Sequence, residues 1–166
     1  FHGQQIYESI YHRRKFTFVE VKGLPHTLRE RLPQAATITL PAVHTRQLSI
    51  DGTTKYLFRL ADGQKIESVL IPEERRNTLC ISTQVGCPMD CKFCLTALIG
   101  FARNLTAGEI VGQILSILND QTTQGIQTTP KAINVVLMGM GEPLLNLENV
   151  CKALLLMADK DGLAIS

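Results

Sequence analysis

A chain of 166 residues with 45% apolar and 19% charged residues has a globular balance and enough length to bury a core, which excludes a disordered chain. The formal net charge of +2 is too small for bulk electrostatics to mark a nucleic-acid binder, although basic residues gather locally in His12-Arg13-Arg14-Lys15 and in Arg75-Arg76. No apolar run approaches the roughly 20 residues needed to span a bilayer, and five cysteines, four of them between positions 80 and 94, are too crowded for a secreted disulfide scaffold.

That crowding points to a reducing compartment and a metal or redox site, so a cytoplasmic protein without membrane attachment is expected. No signal peptide is recognisable in the chain as it stands. It begins at Phe1 and ends at Ser166 just after a run that is turning apolar, and it reads as a trimmed piece of a longer protein.

From the start, Ile6, Ile10 and Tyr11 recur at helical spacing, and Pro25 opens a second helix in "PHTLRERL". The basic run at 12–15 suits either a local phosphate-binding patch or the solvated face of an amphipathic helix. Pro33 and Pro41 then punctuate a linker. From about Val43 to Ile71 the period changes to two, and Asp51-Gly52 and Asp62-Gly63 separate the segments, which predicts a three-stranded antiparallel meander. Tyr56, Phe58 and Leu60 share one face of its middle strand.

"TLCIST" is a short strand leading into "GCPMDCKFC". Thr106 and Glu109 form a capping box at the head of a helix striped by Ile110, Val111, Ile114, Leu115 and Leu118. A polar linker leads to "INVVLMGMG", whose continuous apolar run predicts a parallel strand covered on both faces. Asn146 opens another amphipathic helix, and "GLAIS" approaches a third strand. The expected architecture is an α+β N-terminal region, helical over 1–35 and a β meander over 36–76, followed over 77–166 by the start of an α/β parallel partial barrel. In such sheets ligands sit at the carboxyl ends of the strands, where both loops 83–94 and 139–146 fall.

Cys87, Cys91 and Cys94 have the spacing C-x3-C-x2-C. Soft thiolates suit zinc or iron–sulfur chemistry. Structural zinc sites close with four ligands, whereas a 4Fe–4S cluster held by three leaves one iron free to chelate a small molecule. In "GMGEP" the glycines would let backbone approach a ligand, with Glu142 as a carboxylate for a cationic group. Cys80 and Glu67 read in isolation as a buried strand cysteine and a solvated strand carboxylate. Cys151 reads as a small buried filler, and Met138 and Met140 as strand core or pocket lining.

With Phe93 before the last cysteine, the motif resembles the radical S-adenosylmethionine (radical SAM) superfamily. "NTLCISTQVGCPMDCKFCLTALIGFARNLTAGEIVGQI" and "NVVLMGMGEPLLN" resemble more narrowly the RlmN family, adenosine C2-methyltransferases of 23S rRNA and tRNA, over essentially the whole chain. That resemblance implies a 4Fe–4S cluster on Cys87, Cys91 and Cys94, and S-adenosylmethionine held at Gly141 and Glu142. It implies Glu67 as proton acceptor, and Cys80 as the cysteine that resolves a covalent RNA adduct through a transient disulfide with a distal methylated cysteine. It further implies an external electron donor such as flavodoxin, a monomer, and RNA gripped by the N-terminal helices.

The distal cysteine is not among this chain's five, so the chain alone is not expected to turn over. Arg103 and Asn104 belong to the family pattern without a physical role readable from sequence. The rival readings are the related family that methylates carbon 8 of the same ribosomal adenosine, and a non-enzymatic cysteine-ligated zinc module that binds RNA.

Overall fold

The computed structural model describes residues 1–125 and 132–165. Helices α1 (His2–Tyr11) and α2 (His26–Ala35) open the chain, joined through a short 3₁₀ turn at Phe18–Glu20. Helix α2 runs through Pro33 instead of stopping at it. In the last turn a proline forfeits only one intrahelical bond, so the helix tolerates it. Tyr7 of α1 donates to Asp159 at 2.9 Å, and Ile10 and Tyr11 pack on the core, tying this region to the far end of the chain.

Strands β1 (Ala42–Leu48), β2 (Thr54–Arg59) and β3 (Lys65–Pro72) form the expected meander. Both hairpin turns are built alike. Asp51 and Asp62 each accept the backbone N–H two residues on at 3.0 Å, and the intervening Gly52 and Gly63 sit at φ +84° and +85°, where a side chain would be strained. The meander does not end at three strands. β4 (Arg76–Cys80) pairs antiparallel with β3 and parallel with β7 (Ala132–Val136), giving one sheet in the order β1-β2-β3-β4-β7. The expected boundary near residue 76 therefore falls inside a continuous sheet.

Helix α4 (Ala107–Thr123) has its capping box at Thr106 and Glu109 and lies across one face of that sheet. Tyr56, Phe58, Ile66, Leu79 and Ile81 meet Ile110, Ile114 and Ile117 there, all fully buried. Burial of a Phe or Ile side chain contributes about 1.5–3 kcal/mol, so these alternate strand residues supply much of the fold's stability. Helix α5 (Leu147–Ala158) packs beside α4 through Val150, Ala153 and Met157.

In β7, Ile133 and Val135 pack on the core, and Asn134 and Val136 on its other face are part-buried as well. Gly162 and Leu163 of "GLAIS" lie in a turn, after which Ile165 N–H donates to Met157 O at 2.8 Å. One expectation needs correction. Cys151 is exposed, because the buried stripe of α5 runs through positions 150, 153 and 157 and leaves 151 outside it. The linker calls at residues 126–131 lie outside the described residues. Among those described, no helix is long and apolar enough to cross a membrane.

Candidate active-site face

The three motif cysteines occupy the tip of a hairpin. β5 (Gln84–Gly86) pairs antiparallel with β6 (Phe101–Asn104), and the tip between them carries the short helix α3 (Leu95–Ile99). Gly86 closes the base at φ +74°, so near the backbone of Gly100 that any Cβ would overlap its carbonyl. Cys87 N–H donates to Gly100 O at 3.1 Å, and Cys94 N–H to Cys91 O at 3.0 Å. All five cysteines are free thiols. The N–H groups of Thr96 and Ala97 and the Thr96 hydroxyl point at Cys94 sulfur and pull its pKa below the ordinary thiol value.

The sulfurs are not drawn together around a common point, and among the described residues no three His, Cys, Asp or Glu side chains are grouped to hold a metal ion. The donor set nevertheless fits an iron–sulfur cluster in kind. Three half-buried free thiols share one pinned tip, and backbone donors already face one of them. Bringing the sulfurs together is a rearrangement of the tip, since its base is fixed.

"GMGEP" lies directly against the strand that feeds the cysteine loop. Gly139 N–H donates to Ile81 O at 3.0 Å, and Thr83 and Gln84 N–H both donate to Met140 O. A Cβ on Gly139 would stand 2.7 Å from Ile81 C and O, and one on Gly141, at φ +98°, would stand 2.5 Å from Gln84 Cβ. These glycines are thus required by the approach of one loop to the other, a reason the sequence reading had assigned to a ligand. Glu142 accepts Leu144 N–H at 3.0 Å, capping a 3₁₀ turn (Pro143–Asn146), and its own N–H donates to Gln84 Oε1 at 2.8 Å.

A buried polar hub, unseen from sequence, joins these parts. Gln113 of α4, fully buried, accepts from Ser82 N–H at 2.8 Å and from the Ser68 hydroxyl at 2.7 Å, and donates to Ser82 O at 2.9 Å. The Ser82 hydroxyl donates to Glu67 O at 2.6 Å and accepts Met140 N–H at 2.9 Å. Asn146 does not cap α5 with its side chain; its amide instead donates to Thr83 O and Leu105 O, each at 2.8 Å. The available signal was polarity out of place: a glutamine inside the apolar stripe of α4.

Arg103 now has a role. Its guanidinium grips Glu109 through two hydrogen bonds at 2.8 and 2.9 Å and Asp62 at 2.7 Å, joining the hairpin, the head of α4 and the β2–β3 turn. Those two carboxylates raise the Arg103 pKa further. Burial alone would raise Glu109, but the bonds from Arg103 and Thr106 outweigh it and hold the carboxyl below its ordinary value. Asn104 accepts from Gln84 at 2.8 Å and donates to Leu145 O at 3.3 Å, locking the hairpin to the "GMGEP" side.

Opposite α4, the sheet presents its other set of alternate residues. Val69 stands across from Cys80, and Glu67 is two residues along β3 on the same face. Diagonal neighbours of this kind lie roughly 7–8 Å apart. Burial raises the Cys80 pKa, and a backbone N–H from Met138 only partly offsets it. Glu67 pairs with Lys55 Nζ at 2.7 Å, and both line a cleft of about 540 Å³ whose far wall is Leu95, Thr96 and Ile99 of the cysteine tip and whose floor includes Met140. The structure thus brings Glu67 and Cys80 onto one open sheet face, and the tip that carries Cys87, Cys91 and Cys94 walls the cleft at Glu67. Gly141 and Glu142 stand beside it, committed to loop packing and to a cap.

No family model matches the chain. It is 47% identical to the dual-specificity RNA methyltransferase RlmN of Geobacter sulfurreducens, over 100% of the chain and 44% of that protein. It is 44% identical to the protein of the same name from Nitratiruptor sp., over 100% of the chain and 49% of the relative. Among solved structures, a radical SAM methyltransferase from Sphaerobacter thermophilus superposes with a TM-score of 0.87 at 36% identity, covering 99% of the chain and 48% of its own. The fold, with its cysteine hairpin beside an open sheet face, is that of a radical SAM methyltransferase. Within that class the chain is of the RlmN type along its whole length, and it spans about half the length of the curated relatives it matches.

Proposed function

We propose that the protein containing this chain is a radical SAM methyltransferase that methylates carbon 2 of adenosine in 23S rRNA and tRNA. The observation that carries the proposal is that Glu67 and Cys80 share one open sheet face and that the three-cysteine tip walls the cleft at Glu67. Aromatic C–H carbon is a poor nucleophile, and a 4Fe–4S cluster with S-adenosylmethionine supplies radical chemistry that polar methyl transfer cannot. Cys87, Cys91 and Cys94 would hold the cluster, and Gly141 and Glu142 the cofactor's amino group.

Glu67 faces the cleft as the carboxylate that accepts a proton from the substrate ring, oriented by Lys55. Burial keeps Cys80 a protonated thiol at neutral pH, which limits its reactivity until a partner thiol is in place. That partner is the distal cysteine the family resemblance implies. In the N-terminal helical region Arg13 is paired with Glu8 at 3.7 Å and Lys15 with Glu20 at 3.3 Å, and Arg14 is left exposed as a contact for RNA. A cytoplasmic monomer served by an external reductant such as flavodoxin completes the proposal.

Anaerobic reconstitution of the full-length protein with iron and sulfide tests it. The expected result is brown colour with broad visible absorption, lost when Cys91 is replaced by alanine, and 2-methyladenosine in RNA by mass spectrometry. A colourless protein that retains zinc sinks the cluster. A product methylated at carbon 8 transfers the chain to the related family.

A further inference from the structure

We infer that the basic end of the open sheet face, Arg59 and Lys65, is a track for the RNA phosphate backbone that leads into the cleft holding Glu67. The inference rests on the proposed RNA substrate and names the surface that receives it. Arg59 and Lys65 are direct partners in the β2–β3 register, both exposed and both on the side away from α4. Like charges directly opposite each other on a sheet destabilise it.

The local acids do not relieve this arrangement. Asp62, in the turn between them, is taken by Arg103, and Glu67 is taken by Lys55. His44, in the irregular stretch of β1 between Val43 and Thr45, lies beside the pair and accepts a hydrogen bond from Lys65 Nζ at its Nε2, at 3.1 Å, which holds the ammonium in place on the open face without neutralising it. Two opposed cations, Arg59 and Lys65, retained on an exposed face without an acid between them are where a polyanion would bind.

The surface is also continuous with the site. Arg59 and Gly63 line a groove of about 420 Å³, and Gly63 and Lys65 line the adjoining cleft of about 540 Å³ that contains Glu67. A strand of RNA lying across the β2–β3 turn would contact phosphates in the groove and reach the cleft with the next nucleotides. Phosphate contacts position a nucleic acid without reading its sequence, which suits a protein that accepts more than one RNA.

The test compares Arg59→Glu and Lys65→Glu in the full-length protein with Lys160→Glu, the same charge change on an exposed lysine after α5. Each of the first two places an acid opposite the remaining cation, so thermal melting should be unchanged or raised and misfolding does not explain a loss. Binding of a fluorescein-labelled RNA stem-loop with adenosines in its loop is followed by anisotropy over a salt series. The expected result for R59E and K65E is binding on the order of tenfold weaker at low salt, with a log–log salt slope shallower by about one per lost contact. K160E should bind as the unaltered protein does. Binding by R59E and K65E equal to that of K160E overturns the track while leaving the methylation proposal intact. A protein that binds no RNA overturns both, and methylation assayed in parallel separates the two failures.

Discussion

The two faces of the central sheet use the same strands for different purposes. On β2 and β3 the residues Tyr56, Phe58, Ile66, Ser68 and Leu70 face α4 and are buried, while Lys55, Leu57, Arg59, Lys65, Glu67 and Val69 alternate with them on the open side. Because strand side chains alternate strictly, one stretch of sequence can encode a core and a site at once without either constraining the other's composition. Stability should therefore reside at one parity of these strands and activity at the other.

The largest expected effect tests the buried parity. Phe58→Ala should destabilise by about 3–5 kcal/mol, since a fully buried ring leaves a cavity. Leu57→Ala, one residue away on the open face, should cost about 1 kcal/mol or less. Denaturant unfolding of the two variants measures the gap, and comparable losses would break the division between the faces.

Gln113→Leu comes next and probes a place where the buried side reaches through to the site. It removes partners from Ser82 N–H, Ser82 O and the Ser68 hydroxyl, all buried. Stranded groups of this kind should cost about 2–3 kcal/mol in total. The change should also loosen Ser82 and, through it, the backbone of Glu67 and Met140. Faster amide exchange at Ser82 and Met140, beyond that seen in an equally destabilised core variant, is the expected signature.

That hub also marks the limit of what sequence could show. Period two exposed the meander and its buried face, Asp-Gly exposed both turns, and cysteine spacing exposed the hairpin tip. These are local patterns, each contained within a few residues. The pairing of Gln113 with Ser82 and the grip of Arg103 on Asp62 depend on residues 31 and 41 positions apart and carry no local signature. The glycines of "GMGEP" were visible, but their cause was not, because it lies in the close approach of Ile81 and Gln84. Cys151 was misread for a related reason: helical stripes fix which positions are buried only once the neighbouring helix is known.

A smaller, pH-dependent effect follows from Arg103. It holds Asp62 below its ordinary pKa, with help from Gln64 N–H, and together with Thr106 it offsets the burial that would raise Glu109. A carboxylate with a depressed folded pKa contributes stability that is complete above its unfolded value, near 4, and is lost as pH falls through the folded value. Arg103→Met should therefore be less stable than the unaltered protein at pH 7, and the difference should close as pH drops below about 4. Unfolding midpoints measured across that range check this, and a gap that stays constant with pH would mean that Arg103 acts by packing alone.

The smallest expected stability effect is the most informative about the open face. Lys55 and Glu67 form an ion pair at 2.7 Å with side chains 46% and 43% exposed. Pairs this accessible contribute less than about 1 kcal/mol, because water screens them and two flexible side chains must be held still. Lys55→Met should consequently leave melting nearly unchanged. In the full-length protein it should still depress methylation, since Glu67 loses the partner that fixes its carboxylate over the cleft, and Lys55→Arg should restore much of it. If K55M lost stability and activity in proportion, the open face would be part of the scaffold and the division of labour between the two faces would fail.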